Sequence, residues 1–278
     1  MKVSLKAVLD WAETRKCAVG AFNTPNLASL HAILGAAEEL SQPVIIMHAQ
    51  VHEELGLCTM DEIAPIMLRA AEKAKVPVCV HLDHGTDLDY VKRGIELGFT
   101  GIMYDGSALD PAENTKNTIA AVEEAAKTGA SVEAEIGSMG SRTSGVQDDE
   151  SIYTDPAMAE KFVKETGIDA LACAFGTVHG FYLKEPKLDF ERLSKIKSLV
   201  DLPLVMHGGS GVSHADYREV IRRGVRKINY YTYMSRAGAA AVSGKEYKQF
   251  QDVMWDAEKG MKADVKTAIG VFSGLLCD

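Results

Sequence analysis

The chain has 278 residues, 46% of them hydrophobic, with 30 basic and 39 acidic side chains and a net charge of −9. That balance excludes the clustered basic face on which nucleic-acid binding depends, and it leaves an anionic ligand to be held by local dipoles or a metal, not by the overall field. No apolar run reaches membrane-spanning length, and the first six residues do not lead into the apolar stretch of a secretory signal.

Along the chain, short apolar runs occur at 18–22, 43–47, 76–80, 101–104, 131–136, 170–175, 202–206 and 227–230. Amphipathic stretches of helical length separate them, at 26–40, 60–75, 87–97, 110–128, 156–166, 189–200 and 214–223. Eight strands alternating with helices predict an α/β protein, a (β/α)8 TIM barrel forming a single domain over residues 1–278. No GxGxxG follows the first strand, which argues against an open doubly wound sheet. Two segments depart from the repeat. A long polar loop runs from Gly137 to Asp155, and loops of that length are usually functional. Residues 234–278 read as a C-terminal helical extension, which either closes the barrel or builds an oligomer interface. Cys17, Cys58, Cys79, Cys173 and Cys277 form no CxxC pair. An odd count with no framework suits a reducing compartment, so a cytoplasmic protein is expected.

In such barrels the residues just past the C-terminal strand ends build the active site. In chain order these are Asn23; His48, Ala49 and Gln50; His81, Asp83 and His84; Asp105; Glu133 and Glu135; Thr177 and His179; His207 with Gly208, Gly209, Ser210 and Gly211; and Asn229, Tyr231 and Thr232. His84, His179 and His207 end the third, sixth and seventh runs, and each is followed directly by glycine. Three imidazoles leave a position open on zinc, as a catalytic site requires, and zinc polarises a carbonyl. The alternative is three satisfied core histidines. His31, His52 and His214 read as helix or loop residues, and His48 and His81 as either partners of a ligand or walls of the pocket. Asp83 precedes His84, so its side chain is expected to point elsewhere. It either serves a substrate hydroxyl as general acid/base or holds a histidine. The glycine run 208–211, with a helix start near Ser213 and with Asn229 and Thr232, reads as a phosphate cradle.

With these residues in place, the chain resembles the class II, zinc-dependent fructose-bisphosphate aldolase family, including its tagatose-bisphosphate and other ketose-bisphosphate members. The resemblance rests on Gly20-Ala21-Phe22-Asn23, His81-Leu82-Asp83-His84-Gly85, Tyr104-Asp105-Gly106-Ser107 and Val132-Glu133-Ala134-Glu135-Ile136-Gly137. Gly176-Thr177-Val178-His179-Gly180, His207-Gly208-Gly209-Ser210-Gly211 and Lys227-Ile228-Asn229 complete it, in order and over almost the whole chain. It implies a lyase of carbohydrate metabolism that binds Zn2+, or another divalent metal, at His84, His179 and His207. Asp83 is then the acid/base at the C4 hydroxyl, and Asp105 and Glu135 can hold a displaced or second metal. Gly180, Gly208 and Ser210 cradle the phosphate of dihydroxyacetone phosphate, with a monovalent cation nearby, and Asn229 contacts the ketose.

Three positions differ from the family pattern. Gln147 stands where the loop glutamate that shuttles a proton is expected, leaving Asp148, Asp149 or Glu150 for that task. Ala49 replaces a serine near the phosphate, and Tyr231 replaces an aspartate or asparagine. The expected partner is a small sugar phosphate, with neither nucleic acid nor membrane, and the expected assembly is a homodimer or homotetramer. Two other readings stay open: an aldolase acting on a different ketose or keto-sugar-acid phosphate, and a non-catalytic sugar-phosphate-binding barrel.

Overall fold

The computed structural model describes residues 1–137, 153–180 and 186–276. Eight parallel strands form the sheet's closed part: β2 (Val19–Asn23), β3 (Val44–Ala49), β4 (Val78–Gly85), β5 (Gly101–Tyr104), β6 (Ser131–Ile136), β7 (Ala170–Cys173), β8 (Leu204–Met206) and β9 (Val225–Asn229). They run in the order β4-β3-β2-β9-β8-β7-β6-β5, and pairing of β4 with β5 closes the barrel. A two-residue strand, β1 (Lys2–Val3), adds to the start of β4. The eight expected strands are all present. The third is longer than its apolar run suggests, because it continues through His81, Asp83 and His84.

The expected helices also form: α2 (Leu27–Leu40), α4 (Met60–Lys73), α5 (Leu88–Leu97), α6 (Pro111–Ala126), α7 (Pro156–Thr166), α8 (Phe190–Leu199) and α9 (His214–Arg222). Their starts are set by side-chain caps. Asn26, Thr59, Asp87, Asp110, Asp155, Asp189 and Ser213 each accept a hydrogen bond from a first-turn N–H. The C-terminal extension consists of α10 (Thr232–Val242) and α11 (Phe250–Phe272). Gly260 lets α11 lie against α10, since a Cβ there would meet the Ala237 carbonyl oxygen at 2.5 Å. No described helix is long and apolar enough to cross a membrane.

Alternation along the strands sorts their side chains onto two faces. Phe22, Ile46, Val80, Leu82, Ile102 and Leu171 pack outward with the surrounding helices. Ala21, Ile45, Cys79, Met103, Ala172 and Val205 fill the interior with Leu5, Val8, Leu9 and Ala12. The last four belong to α1 (Leu5–Arg15), a helix not foreseen from the sequence, which plugs the N-terminal end of the barrel. Each fully buried aliphatic side chain there contributes roughly 1.5–3 kcal/mol. The opposite end is left for polar groups. Short α3 (Gln50–Glu54) stands there, directly after β3.

Candidate active site

On β4 the interior-facing residues are Cys79, His81 and Asp83, two apart. Strict alternation would send His84 outward. Instead the ladder shifts, Leu82 pairing with Ile102 but Gly85 with Tyr104, so β4 carries one residue more than β5 over this span. His84 sits at φ 50°, in the left-handed region. That conformation costs a non-glycine residue roughly 1–2 kcal/mol, and such bulges re-aim side chains beside active sites. Asp83 and His84 therefore both reach the barrel mouth. The two side chains point apart, as expected, but they diverge within one mouth: Asp83 toward Asn23 and Asn229, His84 toward Asp105 and His207.

Asp83 is 4% exposed. Its Oδ2 accepts from Asn23 Nδ2 at 3.0 Å and its Oδ1 from Asn229 Nδ2 at 2.9 Å. Burial would raise its pKa, but the charges of His84, Lys227 and His207, with the Asn23 bond, hold it far below the usual carboxylate range. Asp83 is therefore an ionised carboxylate clamped between two amides.

His84, His179 and His207 come together as the sequence predicts, each offering a ring nitrogen within 4.8 Å of the others. The rings stand edge to face, with centroids 4.5–5.8 Å apart. His84 Nδ1 faces Asp105 Oδ2 at 2.7 Å, and His207 Nε2 faces Glu133 Oε1 at 2.8 Å. Each carboxylate calls for a donor, so each ring places its N–H on that side. The two remaining nitrogens, His84 Nε2 and His207 Nδ1, then confront each other as lone pairs at 2.8 Å. That approach is repulsive unless a cation lies against both. In a metal-free protein a proton can fill the role, and His84 is raised to about 9: burial lowers it, but Asp83, Asp105 and Glu135 outweigh burial. The donor set fits zinc, with three imidazoles, two of which, His84 and His207, already have one ring nitrogen turned to a carboxylate. His179 lines the open side of this group.

His84, Asp105 and Glu135 form a second, overlapping set with metal-ligand spacing. Glu135 is pushed up to about 8, first by burial and then by Asp105, so its carboxyl holds a proton near neutrality. Asp105 is held low despite burial, by His84 and by two bonds from Ser107, through its N–H at 3.1 Å and its hydroxyl at 2.7 Å.

Below the three histidines lies a group whose roles the sequence did not disclose. Lys227 and Glu133 are both fully buried, with Lys227 Nζ 2.8 and 3.0 Å from the two Glu133 oxygens. Burial would raise Glu133, but Lys227 and His207 hold it down to about 2. His81 lies in the same layer, 3.6 Å from Glu133 and fully buried. It is thus not a pocket wall, and burial followed by Lys227 lowers it to about 3. His48 is also fully buried; its Nε2 faces the Tyr90 hydroxyl at 3.0 Å, which donates to Glu53 at 2.9 Å. His52, read from sequence as a helix or loop residue, is on α3 but is buried, its ring 5.0 Å from that of Tyr231.

The glycine loop after β8 packs against the turn before Gly180. A Cβ on Gly208, at φ 62°, would meet the Val178 carbonyl oxygen at 2.4 Å. Gly209 donates its N–H to Asn229 O at 3.0 Å, and Ser210 Oγ accepts from Tyr231 N–H at 3.0 Å. Thr232 opens α10, and Tyr231 lends that helix no side-chain cap. Gly180, at φ 94°, lies beside His179. The loop, the turn and the start of α10 thus converge. Ala49 is buried at the end of β3, opposite Asp83. Gln147, Asp148, Asp149 and Glu150 lie outside the described residues.

Comparison with known proteins gives two kinds of match. The model of class-II fructose-bisphosphate aldolases matches residues 3–274. Among solved structures, the YdjI aldolase from Escherichia coli K12 has a TM-score of 0.88 and 33% identity, covering 98% of this chain and 97% of that one. The fructose-bisphosphate aldolase of Campylobacter jejuni has a TM-score of 0.79 over 98% of this chain and 95% of that one; at 21% identity it speaks for the fold alone.

Proposed function

Because the chain belongs to the class II fructose-bisphosphate aldolase family, we propose that it is a zinc-dependent aldolase that reversibly cleaves a ketose phosphate to dihydroxyacetone phosphate and an aldehyde. The observation that carries this reading is the Asp83 carboxylate, clamped by Asn23 and Asn229 on the residue next to His84. His84, His179 and His207 would hold the metal, which when bound supplies Lewis acidity to the C2 carbonyl of the ketose.

The protein's own groups do the rest. Asp83 takes the C4 hydroxyl proton as the C3–C4 bond breaks, and the aldehyde carbonyl forms at C4. The electron pair of that bond passes into the dihydroxyacetone phosphate half. Its return to the carbonyl form needs a proton at C3, and Asp148, Asp149 and Glu150 are the candidate donors. Asn23 and Asn229 orient Asp83, and Asn229 also faces the ketose. Asp105 and Glu133 fix the rings of His84 and His207, and Asp105 with Glu135 offers a second metal position. Gly180, Gly208, Gly209, Ser210 and Thr232 form the phosphate cradle, where a helix start and close-packed glycines favour an anion.

The contact of half-buried Tyr231 with buried His52, and buried Ala49, favour a second reading, an aldolase of the same kind acting on a ketose other than fructose 1,6-bisphosphate. Condensing dihydroxyacetone phosphate with a panel of phosphorylated and unphosphorylated aldehydes tests both. A chelator-sensitive product supports an aldolase and identifies the acceptor. Absence of product with every aldehyde, from protein loaded with about one zinc per chain, rejects both.

A further inference from the structure

The glycine loop is held from behind by a side chain of α9. Residues 209–212 form a turn, in which Val212 donates its N–H to Gly209 O at 3.3 Å. Gly211, the third residue of that turn, sits at φ 90°. Ser213 then caps α9, whose inner face is Tyr217, Val220 and Ile221 at helical spacing. Tyr217 is buried, its ring edge to face with that of Phe272 on α11 and the centroids 4.8 Å apart. That packing fixes the direction of its hydroxyl, which donates to Gly209 O beside the Val212 bond.

The peptide from Gly209 to Ser210 is trans, so its C=O and N–H point in opposite directions. We propose that Tyr217 is a positioning residue for the phosphate cradle. By holding the Gly209 carbonyl toward α9, it keeps the Ser210 N–H turned the other way, toward the phosphate of the ketose. This role rests on the proposed function, which assigns the substrate phosphate to this loop. Ser210 is buried, and its N–H has no acceptor among the described residues. A buried donor left unpaired is costly, and a phosphate oxygen would relieve that cost. Ser210 Oγ accepts from Tyr231 N–H at 3.0 Å, which leaves the hydroxyl proton to be donated as well. The Tyr217 bond also polarises the peptide, which makes the Ser210 N–H a stronger donor. Tyr217 itself acts only through Ser210.

The test is titration of the zinc-loaded full chain with inorganic phosphate, followed by calorimetry and by the Ser210 amide shift, in the wild type and in Tyr217→Phe. Phenylalanine keeps the ring against Phe272 and removes the hydroxyl. Phosphate affinity should fall about three- to tenfold, the net worth of one hydrogen bond. The Ser210 amide signal should already be displaced before phosphate is added. In condensation, KM for dihydroxyacetone phosphate should rise by a similar factor while kcat stays within about twofold, because only binding is touched. Tyr230→Phe removes a neighbouring hydroxyl that donates to Asp264 instead, and should leave phosphate affinity at the wild-type value. Unchanged phosphate affinity in Tyr217→Phe, or an equal loss in Tyr230→Phe, overturns the positioning role while the cradle stands. If phosphate binds without shifting the Ser210 amide of the wild type, or does not bind, the cradle falls and the positioning role with it. The titration needs no turnover, so it reads this role even if no aldehyde condenses.

Discussion

His84 Nε2 lies 2.8 Å from His207 Nδ1, and each is the nitrogen left over when the other side of its ring meets a carboxylate. Two facing lone pairs make a geometry suited to a cation, and under the proposed function that cation is zinc. The protein as purified is expected to carry about one zinc per chain. Exhaustive chelation should abolish activity, lower the unfolding midpoint and leave the barrel's circular dichroism intact. Restoring zinc should bring back both activity and midpoint, because a ligand bound only to the folded state stabilises it. Metal analysis of His207→Ala checks the assignment: a full zinc complement there is incompatible with it.

Asp83→Asn should lower kcat by about 10²–10⁴-fold, the usual worth of a positioned proton-transfer group. Its zinc content should match the wild type, since Asp83 reaches Asn23 and Asn229, not the ligand nitrogens. Steady-state kinetics beside metal analysis on one preparation separates the two roles. Loss of zinc in step with activity would make Asp83 a support of the metal site instead of the acid/base.

Lys227 and Glu133 form an ion pair with no solvent exposure. Lys227→Met leaves Glu133 buried without its main partner and should cost about 3–5 kcal/mol of stability. The double variant Lys227→Met/Glu133→Gln should recover part of that loss while still binding zinc more weakly, because His207 keeps no carboxylate behind it. Denaturant unfolding of the two variants and the wild type measures the coupling.

The same pair sets an acid limit. Glu133 falls from an ordinary value of 4.5 to about 2 in the folded protein. A depressed carboxylate contributes stability that is present above its unfolded pKa and lost as pH falls through the folded one. For Glu133 that window runs from about 4.5 down to about 2, and the contribution is on the order of 3 kcal/mol. In metal-free protein, Glu133→Gln should flatten the stability profile over this window. A slope identical to the wild type would assign the acid transition to other groups.

Leu9→Ala, in the helix that plugs the far end of the barrel, should cost about 2–5 kcal/mol. It should leave KM and the metal content alone, as the plug and the mouth are at opposite ends. Thermal unfolding and kinetics on the same variant check both halves.

The strands and most helices were legible in the sequence because buried parallel strands are apolar runs and capped helices carry their own start signals. Asn26, Asp87, Asp110 and Asp189 each stand at the start of an expected helix and prove to be its cap. The plug, α1, was not foreseen, although Leu5, Val8, Leu9 and Ala12 have helical spacing. Four apolar residues among charged ones also suit a surface segment, and only a closed barrel provides an end to fill. The three histidines were legible because each follows an apolar run and precedes a glycine, although His179 proves to sit in the loop beyond β7 and not on the strand. The pairing of Glu133 with Lys227 was not, since 94 residues separate them and nothing local marks either as the other's partner. The fixed tautomers of His84 and His207 were likewise hidden, as they depend on which carboxylate faces which ring.

The extra residue in β4 has a mechanical consequence. Asp83 reaches Asn23 on β2 and Asn229 on β9, while His84 reaches Asp105 beyond β5 and His207 beyond β8. Two adjacent backbone positions are thereby braced from opposite sides of the ring. A displacement of one must drag the other, so their spacing survives thermal flexing that would blur two groups mounted on separate strands. The same bracing forbids piecemeal change. Deleting the surplus residue would realign the strand and withdraw both side chains together, so Asp83 and His84 are kept or lost as one unit.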